Sequence, residues 1–259
     1  MAKGVTPVSR AAEPGRELTV VTFNIHHGAD PDEVLDLERI ARVVQDAGAD
    51  VIGLQEVDRH WSARSGHVDQ AAWLAGRLDL HLAYGANLDL DPRRPGDPRR
   101  RYGTAILSRF PLLDPRNTPL PRSPEGEQRG LLAADIAVRG TRLRFLTTHL
   151  EFLSRGERLA QVAAINDLVD ASRRPTVLVG DLNTTPDSEE ITTLTRRLRD
   201  TWPLAGHGSG FTHEARTPTA RIDYVLASPT LHAHHAQVLP TTASDHRPVR
   251  VELTLAAGP

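Results

Sequence analysis

The chain has 259 residues and a formal net charge of −2, with 39% hydrophobic and 25% charged residues. This composition predicts a globular protein that buries a core, and it excludes the overall positive field of a strong nucleic-acid binder. The sequence contains no Cys, which excludes disulfide bonds, a thiolate nucleophile and zinc held by Cys. Any bound metal must therefore take oxygen or imidazole ligands.

The first 16 residues form a polar segment that contains Pro and Gly, and we expect a loose tail there. This segment lacks the apolar stretch of a secretory signal, and no later stretch is long and apolar enough to span a bilayer. The sequence as given therefore predicts a cytoplasmic protein. We expect residues 17–259 to form one domain, since no linker or strong repeat divides them.

Strand and helix patterns alternate along the rest of the chain. Short apolar or β-branched runs bounded by turn residues predict strands over residues 18–23, 51–54, 104–107, 130–138, 143–149, 176–179, 222–227, 236–239 and 249–255. An apolar period near that of a helix predicts helices over residues 37–46, 70–78, 155–171 and 188–197.

The segments between these elements include three long ones that we expect to be surface loops, residues 87–101, 112–128 and 202–219. Several neighbouring strands have no helix between them. This order is typical of a layered α/β sandwich with mixed or antiparallel sheets rather than a purely parallel, doubly wound sheet.

Polar side chains end most of the predicted strands. They are Asn24, Glu56, His149, Asp181 and Asn183, while the adjacent pair Asp245 and His246 precedes the last strand and Asp223 lies within a strand. Each one alone has an ordinary structural explanation, such as a turn, a helix cap, a buried histidine or an ion pair. Together they favour a ligand site, because burial alone does not place polar groups so regularly at strand ends.

Seven motifs carry a family resemblance. In chain order they are TFNIHHG, DVIGLQEVD, YGTAILSRFP, TTHL, VLVGDLNTTP, RIDYVLAS and SDHRPV. With these motifs the chain resembles the endonuclease/exonuclease/phosphatase superfamily, which includes deoxyribonucleases, abasic-site endonucleases and neutral sphingomyelinases. The resemblance runs from residue 18 to residue 255. It implies a four-layered α/β sandwich, with two β-sheets packed face to face and helices on the outside.

The resemblance also implies a metal-dependent hydrolase that cleaves phosphoesters. Carboxylate and amide oxygens suit Mg²⁺, with Mn²⁺ as a substitute, and Glu56 is the strongest ligand candidate. The family pattern gives Asn24 and Asp245 the same role, and Asp181 is a further candidate. It also pairs His246 with Asp223.

Two roles for that pair stay open. It either deprotonates the attacking water or hydrogen-bonds the phosphate while Asp181 orients the water. Asn183 is expected to hold phosphate or water, and His149 to donate a hydrogen bond to phosphate oxygens. Three further candidates for substrate contact are Tyr102, Arg129 and Arg59, with a surface ion pair as the alternative for each arginine.

The substrate class is not fixed by these residues. We favour a phosphodiesterase acting on a small or lipid-derived phosphoester. The alternative is a nuclease that grips nucleic acid with Arg93, Arg94, Arg99, Arg100 and Arg101. The slight negative charge, the 4% aromatic content and the acidic neighbours of these arginines argue against the nuclease. A binding module without catalysis is the third and weakest interpretation.

Overall fold

The structure, a computed structural model, describes residues 17–138 and 140–255. The predicted loose tail, residues 1–16, lies outside these described residues. The strands are β1 (Glu17–Asn24), β2 (Val51–Arg59), β3 (His81–Leu90), β4 (Arg100–Ser108), β5 (Leu112–Pro119), β6 (Gly130–Val138), β7 (Thr141–His149), β8 (Thr176–Asp181), β9 (Arg199–Asp200), β10 (Asp223–Ala227), β11 (Leu231–Val238) and β12 (Val249–Leu255). The helices are α1 (Leu37–Asp46), α2 (Gln70–Leu78), α3 (Arg155–Asp170), α4 (Glu189–Leu194) and α5 (Trp202–Ala205).

These strands form two six-stranded sheets. One has the order β11-β12-β1-β2-β4-β3, and the other has the order β5-β6-β7-β8-β10-β9. The pairs β1–β2 and β7–β8 are parallel and the other pairs are antiparallel, so both sheets are mixed. Apolar side chains from both sheets share one core between them, among them Val20, Ile106, Phe145 and Val179.

Helices cover the outer faces of the two sheets. Ile40 of α1 and Leu74 of α2 pack with the outer face of the first sheet, and Val162 of α3 packs with that of the second. These layers confirm the predicted four-layered sandwich. Side chains cap the helix starts, since Asp36 accepts a hydrogen bond from an N–H of α1 and Ser154 accepts one from α3. Among the described residues, none of the helices combines the length and apolarity needed to cross a membrane.

Three expected loops were wrong in part, and residues 202–219 include all of α5. Residues 87–101 include the end of β3 and the start of β4, and residues 112–128 include all of β5. Both β3 and β5 lie at sheet edges, where one side of a strand is open and Pro and charged residues are tolerated. Their sequences therefore lack the apolar pattern by which the central strands were predicted.

The sheet geometry brings four strand ends together. In the parallel pairs, Asn24 lies beside Gln55, and His149 lies beside Asp181. Gly53 allows the sheets to approach closely, because a Cβ there would lie 2.4 Å from a Val179 methyl group. The carboxyl ends of β1, β2, β7 and β8 therefore meet at one edge of the sandwich, which is where polar side chains end the strands.

Candidate active site

Asp181 lies at the centre of this edge. Its side chain is buried, and its Oδ1 accepts a hydrogen bond from the backbone N–H of Asn183 at 2.9 Å. Its Oδ2 accepts a hydrogen bond from Asn24 Nδ2 at 3.1 Å. The same oxygen lies 3.5 Å from His149 Nε2 and 3.6 Å from His246 Nε2. One carboxylate oxygen therefore faces an amide and two imidazoles that come from distant parts of the chain.

The predicted pair of His246 and Asp223 is present, and it sets the charge of this centre. His246 Nδ1 lies 2.8 Å from Asp223 Oδ2, and burial lowers the pKa of His246. The carboxylates of Asp223 and Asp181 outweigh burial and raise that pKa to about 10. Burial also raises the pKa of Asp181 to about 7, although the charge of His246 opposes this rise. At neutral pH His246 is therefore an imidazolium, and Asp181 titrates close to neutrality.

His149 is a neutral imidazole with a defined tautomer. Burial and then the charge of Arg129 lower the pKa of His149 well below its usual value. Arg129 Nη1 donates to His149 Nδ1 at 3.2 Å, so the ring proton lies on Nε2, the nitrogen that faces Asp181. Arg129 is itself buried, 2.9 Å from Glu127 and 3.6 Å from Glu151. The structure therefore places Arg129 inside the site region, where it orients His149.

Asn24, Glu56 and Asp245 form the other half of the site. Asn24 Nδ2 donates to Glu56 Oε1 at 2.9 Å. Glu56 has a φ of 57° at a register shift between β2 and β4, and such bulges redirect side chains. Ser244 Oγ donates to the Asn24 backbone carbonyl at 2.8 Å and lies 3.1 Å from Asp245 Oδ1. The carboxylates of Glu56 and Asp245 are thus both tied to Asn24.

The donor atoms here suit a hard divalent cation. Glu56, Asp181 and Asp245 supply carboxylate oxygens, which are the ligands that such cations prefer. Asp223 Oδ1 is buried without a hydrogen-bond partner within residues 17–138 and 140–255, so the cluster has unused acceptor capacity. Asn24 Oδ1 accepts from the backbone N–H of His26 at 3.0 Å, which leaves its second lone pair free for a cation.

Asn183 and Tyr102 also lie at this site. Asn183 has a φ of 49°, and its Nδ2 donates to the Leu150 carbonyl at 2.9 Å, which fixes the side chain beside Asp181. Tyr102 is buried, and burial and then the Glu56 carboxylate raise its pKa well above the usual value. Tyr102 is therefore a neutral phenol close to Glu56.

Arg59 lies apart from these groups. Its Nε is 2.6 Å from Asp69 Oδ2, and its guanidinium lies 5.6 Å from the centre of the Tyr84 ring. Arg64 instead stacks 5.5 Å above the Tyr102 ring and donates two hydrogen bonds to Asp58, at 2.9 and 2.8 Å. Arg64 was not predicted, because nothing local distinguishes it from other arginines. Substrate contact by Arg59 stays a prediction.

His213 is a second residue that sequence reasoning missed. Its ring centre lies 4.6 Å from that of His246, and its backbone pairs with His246 across an isolated bridge. It belongs to the segment 202–219, and a single histidine in a long loop carries no periodic signal. Ser244 was missed for a similar reason, since its link between Asn24 and Asp245 exists only in the folded chain.

Comparison with known proteins gives the family. The model of the endonuclease/exonuclease/phosphatase family matches residues 21–246. A solved endonuclease/exonuclease/phosphatase from Beutenbergia cavernae is 31% identical, with a TM-score of 0.81 over 94% of this chain and 73% of that one. A mannosyl-6-phosphatase from Bacteroides thetaiotaomicron shares the fold at 20% identity, with a TM-score of 0.71 over 92% of this chain and 100% of that one.

One curated relative also matches, the Schizosaccharomyces pombe protein cwh43. It is 30% identical over 179 residues, which are 69% of this chain and 17% of the relative. The match thus spans less than a fifth of that longer protein. The family match covers most of the chain and includes the strand ends described above. The chain therefore belongs to the endonuclease/exonuclease/phosphatase family, whose members are hydrolases that act on phosphoesters.

Proposed function

We propose that this protein is an Mg²⁺-dependent phosphodiesterase, formed by one domain over residues 17–259, that hydrolyses a small or lipid-derived phosphoester. One observation carries the proposal. The buried carboxylate of Asp181 lies between the imidazolium of His246 and the neutral His149, and Asn24 connects it to Glu56. This arrangement combines anionic ligands for a cation with cationic and neutral donors for a phosphate group.

We assign the cation to Glu56, Asp245 and Asn24, with Asp181 as a further ligand. When bound, Mg²⁺ or Mn²⁺ supplies positive charge that stabilises the negative charge developing on the phosphoryl oxygens. The protein contributes the positions of these ligands. Asn24 donates a hydrogen bond to Glu56, and Ser244, bonded to the Asn24 carbonyl, lies 3.1 Å from the Asp245 carboxylate.

Asp181 is our candidate for the group that accepts the proton of the attacking water. When Glu56, Asp245 and Asn24 hold the cation and Asp181 does not coordinate it, a pKa of about 7 suits a general base at neutral pH. The imidazolium of His246 has no free lone pair for that role. The water oxygen bonds to phosphorus as its proton passes to Asp181, the P–O ester bond breaks, and the leaving oxygen takes up that proton. We assign to His246 a hydrogen bond, donated by its Nε2–H to a phosphoryl oxygen.

The remaining donors complete the phosphate contact in this proposal. His149 carries its proton on Nε2 and donates it toward the phosphate oxygens, with Arg129 holding the ring. Asn183, fixed by the Leu150 carbonyl, positions the water. Tyr102 offers a neutral hydroxyl beside Glu56.

Exposed apolar side chains support a lipid-derived substrate. Phe152 and Leu153 follow β7 by three and four residues, and they are 66% and 83% exposed. Leu153 lies on the same loop as Leu150, whose carbonyl holds Asn183. Large apolar groups exposed beside a polar site are typical of contact with hydrocarbon. The Leu150 N–H donates to the Asp181 carbonyl at 3.0 Å, so this loop starts beside Asp181, and we assign Phe152 and Leu153 to contact with the apolar part of the substrate.

The arginines of residues 93–101 support the nuclease less well. Arg99 lies 2.6 Å from both Asp89 and Asp91, and Arg101 lies 3.2 Å from Asp89. These ion pairs lower the local positive charge that a nucleic-acid backbone requires. A nuclease remains the second candidate because a cavity of about 420 Å³ lies at this hairpin, lined by Arg93, Arg94, Arg100, His60 and His67 among others.

A substrate panel tests the proposal. Purified protein with Mg²⁺ is incubated with bis-p-nitrophenyl phosphate, p-nitrophenyl phosphate, sphingomyelin vesicles, plasmid and abasic DNA. We expect cleavage of the diester or the lipid, inactivation by EDTA, and recovery with Mg²⁺ or Mn²⁺. DNA cleavage that falls steeply with salt and with Arg100→Ala indicates the nuclease instead. Diester cleavage that persists in EDTA refutes the metal assignment.

A further inference from the structure

Two adjacent histidines and a glutamate converge next to the phosphoester site. His26 Nε2 lies 3.6 Å from Glu33 Oε1, and His27 Nε2 lies 3.6 Å from Glu33 Oε2. All three potential ligand atoms lie within 4.8 Å of one another. None of these residues has a role in the proposed cleavage, so their convergence requires a separate explanation.

The backbone holds the two imidazoles in an unfavourable conformation. His26 and His27 have φ values of 44° and 43°, a left-handed region that non-glycine residues seldom adopt. Gln70 Nε2 donates to the His27 carbonyl at 2.6 Å, and the His26 N–H donates to Asn24 Oδ1 at 3.0 Å. These hydrogen bonds keep the turn closed, so both rings point toward Glu33.

Hydrogen bonding within the protein does not account for this arrangement. The Nδ1 atoms of His26 and His27 are buried and have no hydrogen-bond partner within the described residues. The contacts of both rings with Glu33 are longer than the usual 2.7–3.2 Å of a hydrogen bond. The Nε2 atoms of both rings face Glu33 without a hydrogen bond to it, and a metal ion between these three residues would supply the missing contact.

We propose that His26, His27 and Glu33 bind a borderline transition-metal dication of the Zn²⁺ class. Imidazole nitrogen suits such ions better than it suits Mg²⁺. Metal–ligand distances of about 2.0–2.2 Å in a tetrahedron place neighbouring ligand atoms about 3.4 Å apart, close to the 3.6 Å that separates each imidazole from Glu33. Glu33 is 71% exposed, so the remaining coordination position faces solvent and takes water.

This second site is connected to the phosphoester site through His26. The Nδ1 atom of His26 faces Asp245 Oδ1 at 3.9 Å. Histidines that bind a metal through one nitrogen commonly direct the other nitrogen to a carboxylate. Binding of the ion therefore fixes the His26 ring beside Asp245, which we assign to Mg²⁺. The inference extends the proposed function but does not depend on it.

Cobalt uptake tests the site. Co²⁺ is added to full-length protein in excess Mg²⁺, and its visible absorption bands and bound equivalents are measured. We expect wild type to bind roughly one equivalent with bands typical of nitrogen and oxygen ligands. The variants Glu33→Gln and His27→Asn should lose both the bound Co²⁺ and its absorption bands. Asn tolerates the positive φ at residue 27, and Glu33 is exposed, so both variants should fold.

Two controls make the result specific. Asp32→Asn changes an exposed neighbour that pairs with Arg216, and it should bind Co²⁺ like wild type. Glu56→Gln changes the phosphoester site, and it should also keep the Co²⁺ bands. Glu33→Gln that binds as much Co²⁺ as wild type overturns the inference. If wild type cleaves bis-p-nitrophenyl phosphate but takes up no Co²⁺, this inference alone is overturned. If wild type takes up Co²⁺ but does not cleave bis-p-nitrophenyl phosphate, only the proposed function is overturned.

Discussion

Replacing Asp181 by Asn removes one charge from the centre of the site and preserves the size of the side chain. Asp181 is buried, and burial raises its pKa from 3.8 to about 7. This difference corresponds to about 4 kcal/mol of instability when the carboxylate is ionised in the folded protein. Since Asn carries no charge, Asp181→Asn should abolish phosphoester hydrolysis and yet stabilise the fold.

The size of the stabilisation depends on pH in a defined direction. The carboxyl group ionises near pH 3.8 in the unfolded chain and near 7 in the folded chain, so the folded state binds more protons between these values. The wild type therefore loses stability as the pH rises through this range, and Asp181→Asn does not. We expect the advantage of the variant to grow by about 3 kcal/mol between roughly pH 5 and pH 8.

Urea unfolding in EDTA, followed by fluorescence of the three Trp residues, measures this difference. Asp135→Asn is a matched control, because Asp135 is also buried but lies 3.1 Å from Arg144 and 2.5 Å from Arg174. Asp135→Asn leaves Arg144 and Arg174 without their anionic partner, so this variant should be less stable than wild type near both pH 5 and pH 8. An advantage of Asp181→Asn that is the same near pH 5 and pH 8, or a loss of stability near pH 8, refutes the reasoning.

Three further predictions concern the metal, the imidazolium and the substrate. Glu56→Gln should abolish activation by Mg²⁺ with an unchanged circular dichroism spectrum, and near-normal turnover contradicts the ligand assignment. Asp223→Asn should lower the pKa of His246 from about 10, because it removes the negative charge beside Nδ1. NMR titration of the ring measures this, and an unshifted titration argues against the role of Asp223. Replacing Phe152 and Leu153 by Ser should reduce cleavage of lipid vesicles more than cleavage of bis-p-nitrophenyl phosphate. Equal losses on both substrates contradict a lipid-facing surface.

Much of the fold follows from local sequence patterns. The helix over residues 37–46 and the strand over 249–255 have the predicted bounds, because their apolar periods reflect burial on one face or within the core. The edge strands β3 and β5 were missed for the opposite reason. One side of each is open, so their side chains are under weaker demand to be apolar, and their composition resembles that of a loop.

The sequence by itself determined which residue types stand at the strand ends, and hence that Asn24, Glu56, Asp181 and His246 belong together. Only the tertiary structure decided how they act on one another. The charge of His246 and the shifted pKa of Asp181 arise from burial and from carboxylates far apart in the chain. Electrostatic effects of this kind depend on distance through space, which spacing along a sequence does not specify.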